Sequence, residues 1–184
     1  MALATSTMTL EQFLQLPEGE PPFEFAEGVV TQKVSPKGQH SALQAELLER
    51  LSQGGRQGHR ARAFPELRIT FAGAARVPDI AVYRRERIPR DEQGRIANDF
   101  YEPPDIAIEI ASPEQSVNGL VRKCLWYVAN GVSLALLVDP ADESVLACDA
   151  TGRITVWSAT DRIDLGAIVP DFELTVEELF ASLR

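Results

Sequence analysis

Long hydrophobic runs are missing from this chain. No stretch of about 18 apolar residues occurs, so the sequence predicts no membrane span. Residues 1–7 also lack the basic start and the apolar core of a secretion signal. We therefore expect a cytoplasmic protein. Its 184 residues are enough to bury a core without disulfides, and we expect one domain over residues 1–184.

Cysteine is scarce as well. The chain has two cysteines, Cys124 and Cys148, and neither belongs to a CxxC or Cys/His pattern. Zinc sites are built from such closely spaced ligands. The sequence therefore predicts two reduced, packed thiols and no zinc site.

Basic residues are outnumbered by acidic ones. The chain has 18 lysines and arginines against 27 aspartates and glutamates, a net charge of -9. Non-specific binding of nucleic acids comes from cations that meet phosphates, so this balance excludes a broad basic binding face. Two local arginine clusters, at residues 56–62 and 84–90, are candidate phosphate contacts, although such charge runs more often form solvated loops.

Capping residues and glycines divide the chain into short elements. Leucines at helical spacing predict a helix from residue 38 to about 56, and Ser112 with Pro113 predicts the start of a helix that stops at Gly131. The apolar strand after it completes a right-handed parallel crossover. The whole pattern predicts an α/β protein with a mixed sheet of the α+β type. An N-terminal hairpin precedes this sheet, and a C-terminal β-meander completes the fold. The other predicted elements are helices near 9–17 and 176–183 and strands at 22–25, 29–34, 62–71, 76–83, 105–111, 133–138, 144–148 and 153–157.

Two acids stand inside strands that are otherwise apolar, Asp79 and Glu109. A buried carboxylate is costly without a partner, and a divalent cation is one such partner. Side chains alternate across a strand, so Glu109 shares its face with Ala107 and Ala111, and Asp79 shares its face with Ala81. These small neighbours leave room for Mg²⁺ or Mn²⁺ and a phosphate. The alternative is that each acid pairs with an arginine or lies at a strand end in water.

Three lysines are the candidates for an ammonium near a phosphate: Lys33, Lys37 and Lys123. Lys123 shares a helix face with Leu120 and Tyr127, which predicts that it lies near the core-facing side. The alternative is a lysine that snorkels at the edge of an apolar stripe.

The sequence leaves the roles of two further polar residues open and predicts a simple ion pair for a third. Glu24, between two phenylalanines, is either a further ligand of metal or water or a solvent-facing strand residue. His40, at the start of the long helix, either touches phosphate or has a structural role. Glu66, two residues before Arg68, is expected to pair with that arginine.

The order of these motifs resembles a known family. Taken together, they are similar to the Uma-two family of endonucleases, a branch of the PD-(D/E)XK superfamily, and the similarity covers nearly the whole chain. The segments that carry the resemblance are residues 23–28, His40, 77–79, 108–113, Lys123 with Tyr127, 131–132 and 137–140.

The resemblance implies a restriction-endonuclease-like core and a DNA endonuclease that depends on Mg²⁺ or Mn²⁺. Asp79 and Glu109 would hold the metal, and Glu24 and His40 match recurrent family positions. The superfamily has a lysine two residues after the second acid, where this chain has Ala111. The branch supplies the lysine from the next helix, which maps to Lys123, and this group would orient the attacking water or stabilise charge on the phosphoryl group.

Two other functions remain open from the sequence. One is a non-catalytic, oligomeric binding or regulatory module that keeps the nuclease fold, which the acidic charge and Ala111 favour. The other is a metal-dependent phosphodiesterase that acts on RNA or nucleotides. The resemblance also implies a homodimer or higher homo-oligomer.

Overall fold

The computed structural model describes residues 8–54, 60–170 and 172–184. Four α-helices and ten strands form within these ranges. The helices are α1 (Leu10–Leu14), α2 (Gly38–Gly54), α3 (Val117–Ala129) and α4 (Val176–Ala181). The strands are β1 (Phe23–Ala26), β2 (Val29–Gln32), β3 (Ala61–Pro65), β4 (Ile69–Phe71), β5 (Ala74–Arg76), β6 (Ile80–Arg84), β7 (Ile106–Ile110), β8 (Leu134–Asp139), β9 (Ser144–Asp149) and β10 (Ile154–Ser158).

Six strands form a mixed sheet in the order β10-β9-β8-β7-β6-β3. Only β7 and β8 pair in parallel in this sheet, and α3 connects them. The other neighbours are antiparallel, including β8, β9 and β10 at the C-terminal side. The predicted parallel crossover and C-terminal meander are therefore confirmed.

The remaining four strands form a smaller sheet in the order β2-β1-β5-β4. Its β1–β2 hairpin is the predicted one, and the turn residues Glu27 and Gly28 have φ angles of 51° and 78°. Two consecutive residues with positive φ are typical of the turns that close two-residue hairpins. In this hairpin Glu24 of β1 pairs with Thr31 of β2, and its carboxylate accepts a hydrogen bond from the Val77 N–H, which lies between β5 and β6.

The two faces of the large sheet are covered by different helices. Ile80 and Ile108 belong to a core that includes leucines of α2, whereas Ala81 and Ala107 belong to a core that includes α3. This is the alternation that the sequence predicts for β6 and β7. Because both faces are covered, every residue of β7 is buried, and so is every residue of β6 before Arg84.

Two predicted strands are each divided in the structure. The run 62–71 becomes β3 and β4, which lie in different sheets, because the backbone turns at Glu66 with a φ angle of 48°. The run 76–83 breaks between Arg76 and Ile80, where Pro78 has no N–H to give to a sheet. The prediction of single continuous strands was wrong at both places.

The third helix begins later than the sequence predicts. Its N-cap is Ser116, whose side chain accepts a hydrogen bond from the Gly119 N–H at 3.3 Å. Ser112, the predicted cap, instead donates its backbone N–H to the Gln115 side chain at 2.9 Å. This local turn keeps residues 112–116 out of the helix and ends β7 close to Glu109.

Two arginines of the predicted cluster at residues 84–90 hold a buried acid in place. Residues 55–59, which include Arg56 of the first cluster, lie outside the described residues, and Arg62 of the same cluster lies over the Phe64 ring at 5.4 Å. In the second cluster, Arg84 Nη1 is 2.6 Å and Arg87 Nη1 2.9 Å from the same Asp105 oxygen. Asp105 is fully buried and also accepts the Arg84 backbone N–H at 2.7 Å. These arginines therefore neutralise a buried acid at the start of β7.

Cys124 and Cys148 are buried free thiols, as predicted. The described residues contain no group of three or more histidines, cysteines, aspartates or glutamates that is arranged to hold a metal ion. No helix in the described part of the chain is long and apolar enough to cross a membrane.

Replacing Asp105 by asparagine will destabilise the fold. The change removes the charge that Arg84 and Arg87 share, and breaking a buried ion pair leaves uncompensated charge, which costs about 3 kcal/mol. Urea unfolding of Asp105→Asn against wild type measures the loss. Glu102→Gln is the control, because its exposed carboxylate lies 3.8 Å from Arg87 and contributes less than about 1 kcal/mol. Equal losses in the two variants would contradict this account of the arginine cluster.

Candidate active site

Asp79 and Glu109 lie next to each other across two antiparallel strands. The register pairs Ile80 of β6 with Ile108 of β7. One step further along this register, Asp79 lies opposite Glu109. Side chains of residues that lie opposite each other project to the same face of the sheet. The Ile110 N–H donates a hydrogen bond to Asp79 Oδ2 at 2.7 Å. Both acids are buried, with 3% and 2% of their surface exposed.

Asp79 receives donors from the end of the hairpin and from α2. Lys33 follows β2, and its Nζ is 2.5 Å from Asp79 Oδ1. His40, in the first turn of α2, has its Nε2 3.0 Å from Oδ2. Gln44, one turn later, donates to the backbone carbonyl of Asp79 at 2.8 Å. The buried Nδ1 of His40 has no hydrogen-bond partner among the described residues.

Glu109 receives donors from α3. Lys123 Nζ is 2.8 Å from Glu109 Oε1, and the Tyr127 hydroxyl donates to the same oxygen at 2.9 Å. These two residues are four apart, so the helix presents them on one face. Lys123 Nζ also lies 2.8 Å from Glu24 Oε1, and it therefore bridges two carboxylates.

Glu24 turns towards this cluster and not towards solvent. It is 6% exposed, and its Oε1 accepts the Val77 N–H at 2.7 Å. Its Oε2 lies 3.6 Å from Nη1 of Arg76, whose guanidinium stacks over the Trp126 ring at 4.9 Å. The solvent-facing alternative for Glu24 is therefore wrong. Its contact with Lys123 makes it part of the same charge network as Glu109.

The two central acids differ in how readily they ionise. Burial raises the pKa of the Glu109 carboxyl to about 7, against the opposing charge of Lys123 and with support from the Asp79 carboxylate. Burial acts in the same direction at Asp79, but the hydrogen bond from His40 and the charge of Lys33 outweigh it and hold its pKa below the ordinary value. Neighbouring carboxyls whose pKa values are pushed apart are typical of functional sites.

The chemistry of the donors fits a hard divalent cation. Asp79 and Glu109 offer carboxylate oxygens, which Mg²⁺ and Mn²⁺ prefer, and Mg²⁺ often takes only one or two carboxylates together with water and phosphate oxygens. Each acid has an ammonium at contact distance, so each already attracts a positive charge in the structure. The two carboxylates therefore suit a partial ligand set that water and substrate complete.

The structure gathers all five sequence-predicted site residues into one network, namely Asp79, Glu109, Lys123, Glu24 and His40. The open alternatives for the central acids are excluded, because both are buried and their ion pairs among the described residues are with lysine or histidine. Lys123 faces the core as predicted, with 12% of its side chain exposed, and does not snorkel. The catalytic roles of the five residues remain predictions.

The sequence did not predict that Lys33 lies at Asp79, and the partner that it predicts for Glu66 is wrong. Glu66 pairs with Lys33 at 3.0 Å and not with Arg68, which reaches Glu18 at 3.4 Å. The alternation rule failed here because Glu66 lies in a turn and not within a strand. Lys33 was one of three candidate lysines, but no spacing rule links residue 33 to Asp79, since the contact spans 46 positions in the chain.

A cleft of about 440 Å³ opens beside this network. Glu66 and Val77 connect the two, because both line the cleft. Glu66 also contacts Lys33, and Val77 also contacts Glu24. Clefts of this size commonly hold small ligands or parts of larger ones. Pro22 and Phe23, at the start of the hairpin, line the cleft as well.

The mixed sheet with its β7-α3-β8 crossover, and the paired acids with their lysines, define the class of restriction-endonuclease-like nucleases. Comparisons with known proteins agree with this class. The profile of the Uma2 (Uma-two) family, described as "Putative restriction endonuclease", matches residues 10–177. The chain belongs to the Uma2 family.

A solved structure shows the same fold. It is the crystal structure of a "putative nuclease belonging to DUF820" from Anabaena variabilis ATCC 29413, with a TM-score of 0.92 and 36% sequence identity, and the match covers 96% of this chain and 99% of that one. A fragment of a "putative HsdR subunit of a type I restriction enzyme" from Vibrio vulnificus YJ016 matches more weakly, with a TM-score of 0.41 and 15% identity over 80% of this chain and 25% of that one. A search of curated proteins found no match.

Removing the Tyr127 hydroxyl will destabilise the cluster. Tyr127→Phe takes away a buried hydrogen bond to Glu109, which contributes about 1–2 kcal/mol. Urea unfolding measures the change, with Tyr101→Phe as the control because Tyr101 is 65% exposed. A Tyr127→Phe variant as stable as wild type would contradict the contact.

Proposed function

We propose that this chain is an endonuclease that hydrolyses phosphodiester bonds of DNA with the help of Mg²⁺ or Mn²⁺. One observation carries the proposal: the carboxylates of Asp79 and Glu109 are buried side by side, and each is in contact with a lysine. Paired carboxylates are ligands that Mg²⁺ and Mn²⁺ prefer, and a phosphate that completes such a ligand set would lie within reach of a neighbouring ammonium.

Asp79 and Glu109 are the residues that would hold the cation. When bound, a divalent cation polarises a phosphoryl oxygen and lowers the pKa of water, which supplies a nucleophile at neutral pH. Lys123 lies at the Glu109 carboxylate, where its ammonium can stabilise the negative charge that develops on the phosphoryl group.

The surrounding residues hold these groups in place. His40 and Tyr127 each contact one of the two acids and orient it, as the outer partners of ligand carboxylates commonly do. Glu24 also contacts Lys123 and keeps its ammonium at the site. In this proposal Glu24, His40 and Tyr127 are positioning residues, while Lys123 is the group that touches the substrate.

The acidic charge of the chain is compatible with a nucleic-acid substrate at this site. The carboxylates of the network do not face solvent as bare charges, because Lys33, Lys123 and Arg76 lie against them. A bound divalent cation adds two further positive charges where the phosphate would lie. A broad basic face is therefore not needed for contact at the scissile phosphate.

Replacing Asp79 by asparagine will abolish DNA cleavage. The substitution keeps the size of the side chain but removes the charge that would hold the cation, and we expect a loss of at least about 10²-fold. Cleavage of plasmid and single-stranded DNA in Mn²⁺ measures it, with wild type and variant purified side by side. Glu173→Gln is the matched control, since its carboxylate is exposed and lies outside the network.

Equal cleavage by wild type and Asp79→Asn would show that the activity comes from elsewhere and would contradict the proposal. Cleavage of RNA but not of DNA, lost in the same variant, would keep the site and change the substrate. Folding of each variant is checked by circular dichroism, so that loss of activity is not confused with loss of structure.

Replacing Lys123 by methionine will slow cleavage about 10²-fold or more, because a neutral side chain cannot stabilise charge on the phosphoryl group. Initial rates at saturating DNA and Mn²⁺ measure the effect. Lys37→Met is the control, because Lys37 is exposed and pairs with the exposed Glu114. Similar rates for Lys123→Met and Lys37→Met would remove Lys123 from the reacting groups.

A further inference from the structure

Each of the two central acids shares a lysine with a second, outer carboxylate. Lys123 lies 2.8 Å from Glu109 and 2.8 Å from Glu24. Lys33 lies 2.5 Å from Asp79 and 3.0 Å from Glu66. The proposed reaction uses the first of these lysines and leaves the second, together with Glu66, without a role.

The lysine at Asp79 lies on the oxygen that a cation would need. Asp79 Oδ2 already faces two nitrogen atoms, the backbone N of Ile110 at 2.7 Å and His40 Nε2 at 3.0 Å. Oδ1 is the oxygen that faces Lys33 Nζ. A divalent cation and an ammonium on the same oxygen would stand within a few ångströms of each other, and their repulsion in a buried site is large.

We propose that Lys33 is the counter-ion that holds Asp79 until a divalent cation binds, and that Glu66 then receives the Lys33 ammonium. The inference rests on the proposed function, because it takes a cation to bind at Asp79. Lys33 is in this view a built-in competitor of the cation, and Glu66 is a positioning residue that acts through Lys33.

Glu66 is placed for this task by its backbone. It adopts a φ angle of 48°, which is uncommon for a residue other than glycine and indicates a conformation that its surroundings impose. Its N–H donates to the Asp79 carbonyl at 3.2 Å. Gln44 donates to Glu66 Oε1 at 3.2 Å and to the same Asp79 carbonyl, which leaves Oε2 turned to Lys33.

The two lysine bridges differ in the burial of the outer acid. Glu24, the partner of Lys123, has 8% of its side chain exposed, whereas the side chain of Glu66 is 38% exposed. An ammonium that stays with Glu66 therefore lies near solvent and near the cleft that Glu66 lines. Lys33 can shift towards this region without leaving its second partner, while Lys123 remains between two buried acids.

A double-mutant cycle on cation affinity tests the proposal. Mn²⁺ binding is measured by calorimetry for wild type, Lys33→Met, Glu66→Gln and the double variant, with Lys37→Met as the control. We expect about tenfold tighter binding in Lys33→Met, where the competitor is gone, and about tenfold weaker binding in Glu66→Gln, where the released ammonium has lost its partner. In the Lys33→Met background, Glu66→Gln will leave the affinity unchanged.

Equal weakening by Glu66→Gln in both backgrounds would overturn the inference, because Glu66 would then act on the cation directly and not through Lys33. The proposed function would survive that result. Failure of wild type to bind Mn²⁺ at all would overturn both, and this outcome is recognised because Asp79→Asn would then give the same flat titration.

A second measurement uses the wild-type chain, since Lys33→Met leaves a buried acid without its ammonium and lowers stability. The chain has three lysines, so NMR of protein labelled with ¹⁵N-lysine gives one ammonium resonance for each, and the variants Lys33→Arg and Lys37→Met assign all three. Saturating Mg²⁺ will shift the Lys33 resonance and leave that of Lys37 in place. An unmoved Lys33 resonance in the presence of bound Mg²⁺ would overturn the exchange of partners.

Discussion

The cost of burying charge governs this structure. Asp79 and Glu109 stand among isoleucine and alanine side chains at the centre of a covered sheet, and neither could remain ionised there without donors. The chain brings those donors from three separate elements: Lys33 follows the hairpin, His40 comes from α2, and Lys123 comes from α3. The hairpin and both helices must therefore pack against the same end of β6 and β7, which is why the small sheet and the large sheet meet at this point.

The chain solves the same electrostatic problem elsewhere with a different cation. Asp105, fully buried at the other end of β7, is neutralised by Arg84 and Arg87. A guanidinium forms several directed hydrogen bonds and suits a permanent pair, whereas an ammonium is a compact charge that can exchange partners. Two of the three lysines in the chain lie at the candidate site, and the charge pair at Asp105 uses arginine alone. The cation thus differs between the two ends of β7, with arginine at the buried acid Asp105 and lysine at the candidate site.

Much of the fold could be predicted from local patterns. The alternation in β6 and β7, the crossover through α3 and the hairpin at Glu27 and Gly28 follow from residue type and spacing, because each depends on neighbours within a few positions. The sequence did not predict the breaks at Glu66 and Pro78, and each of these residues was expected within a continuous strand. A left-handed turn is usually marked by glycine or asparagine, and position 66 is a glutamate. Its conformation is imposed by contacts with residues that are far away in the chain, such as Lys33.

The sequence by itself determined which residues of β6, β7 and α3 share a face, and with the family resemblance it identified Asp79, Glu109 and Lys123 as a set. Periodicity decides these matters, since a strand or a helix fixes the direction of each side chain relative to its neighbours. Only the tertiary structure decided that Lys33 contacts Asp79 and that Glu66 contacts Lys33. Those contacts depend on how the hairpin docks against the large sheet, and docking is set by the packing of whole elements, for which no spacing in the sequence is a guide.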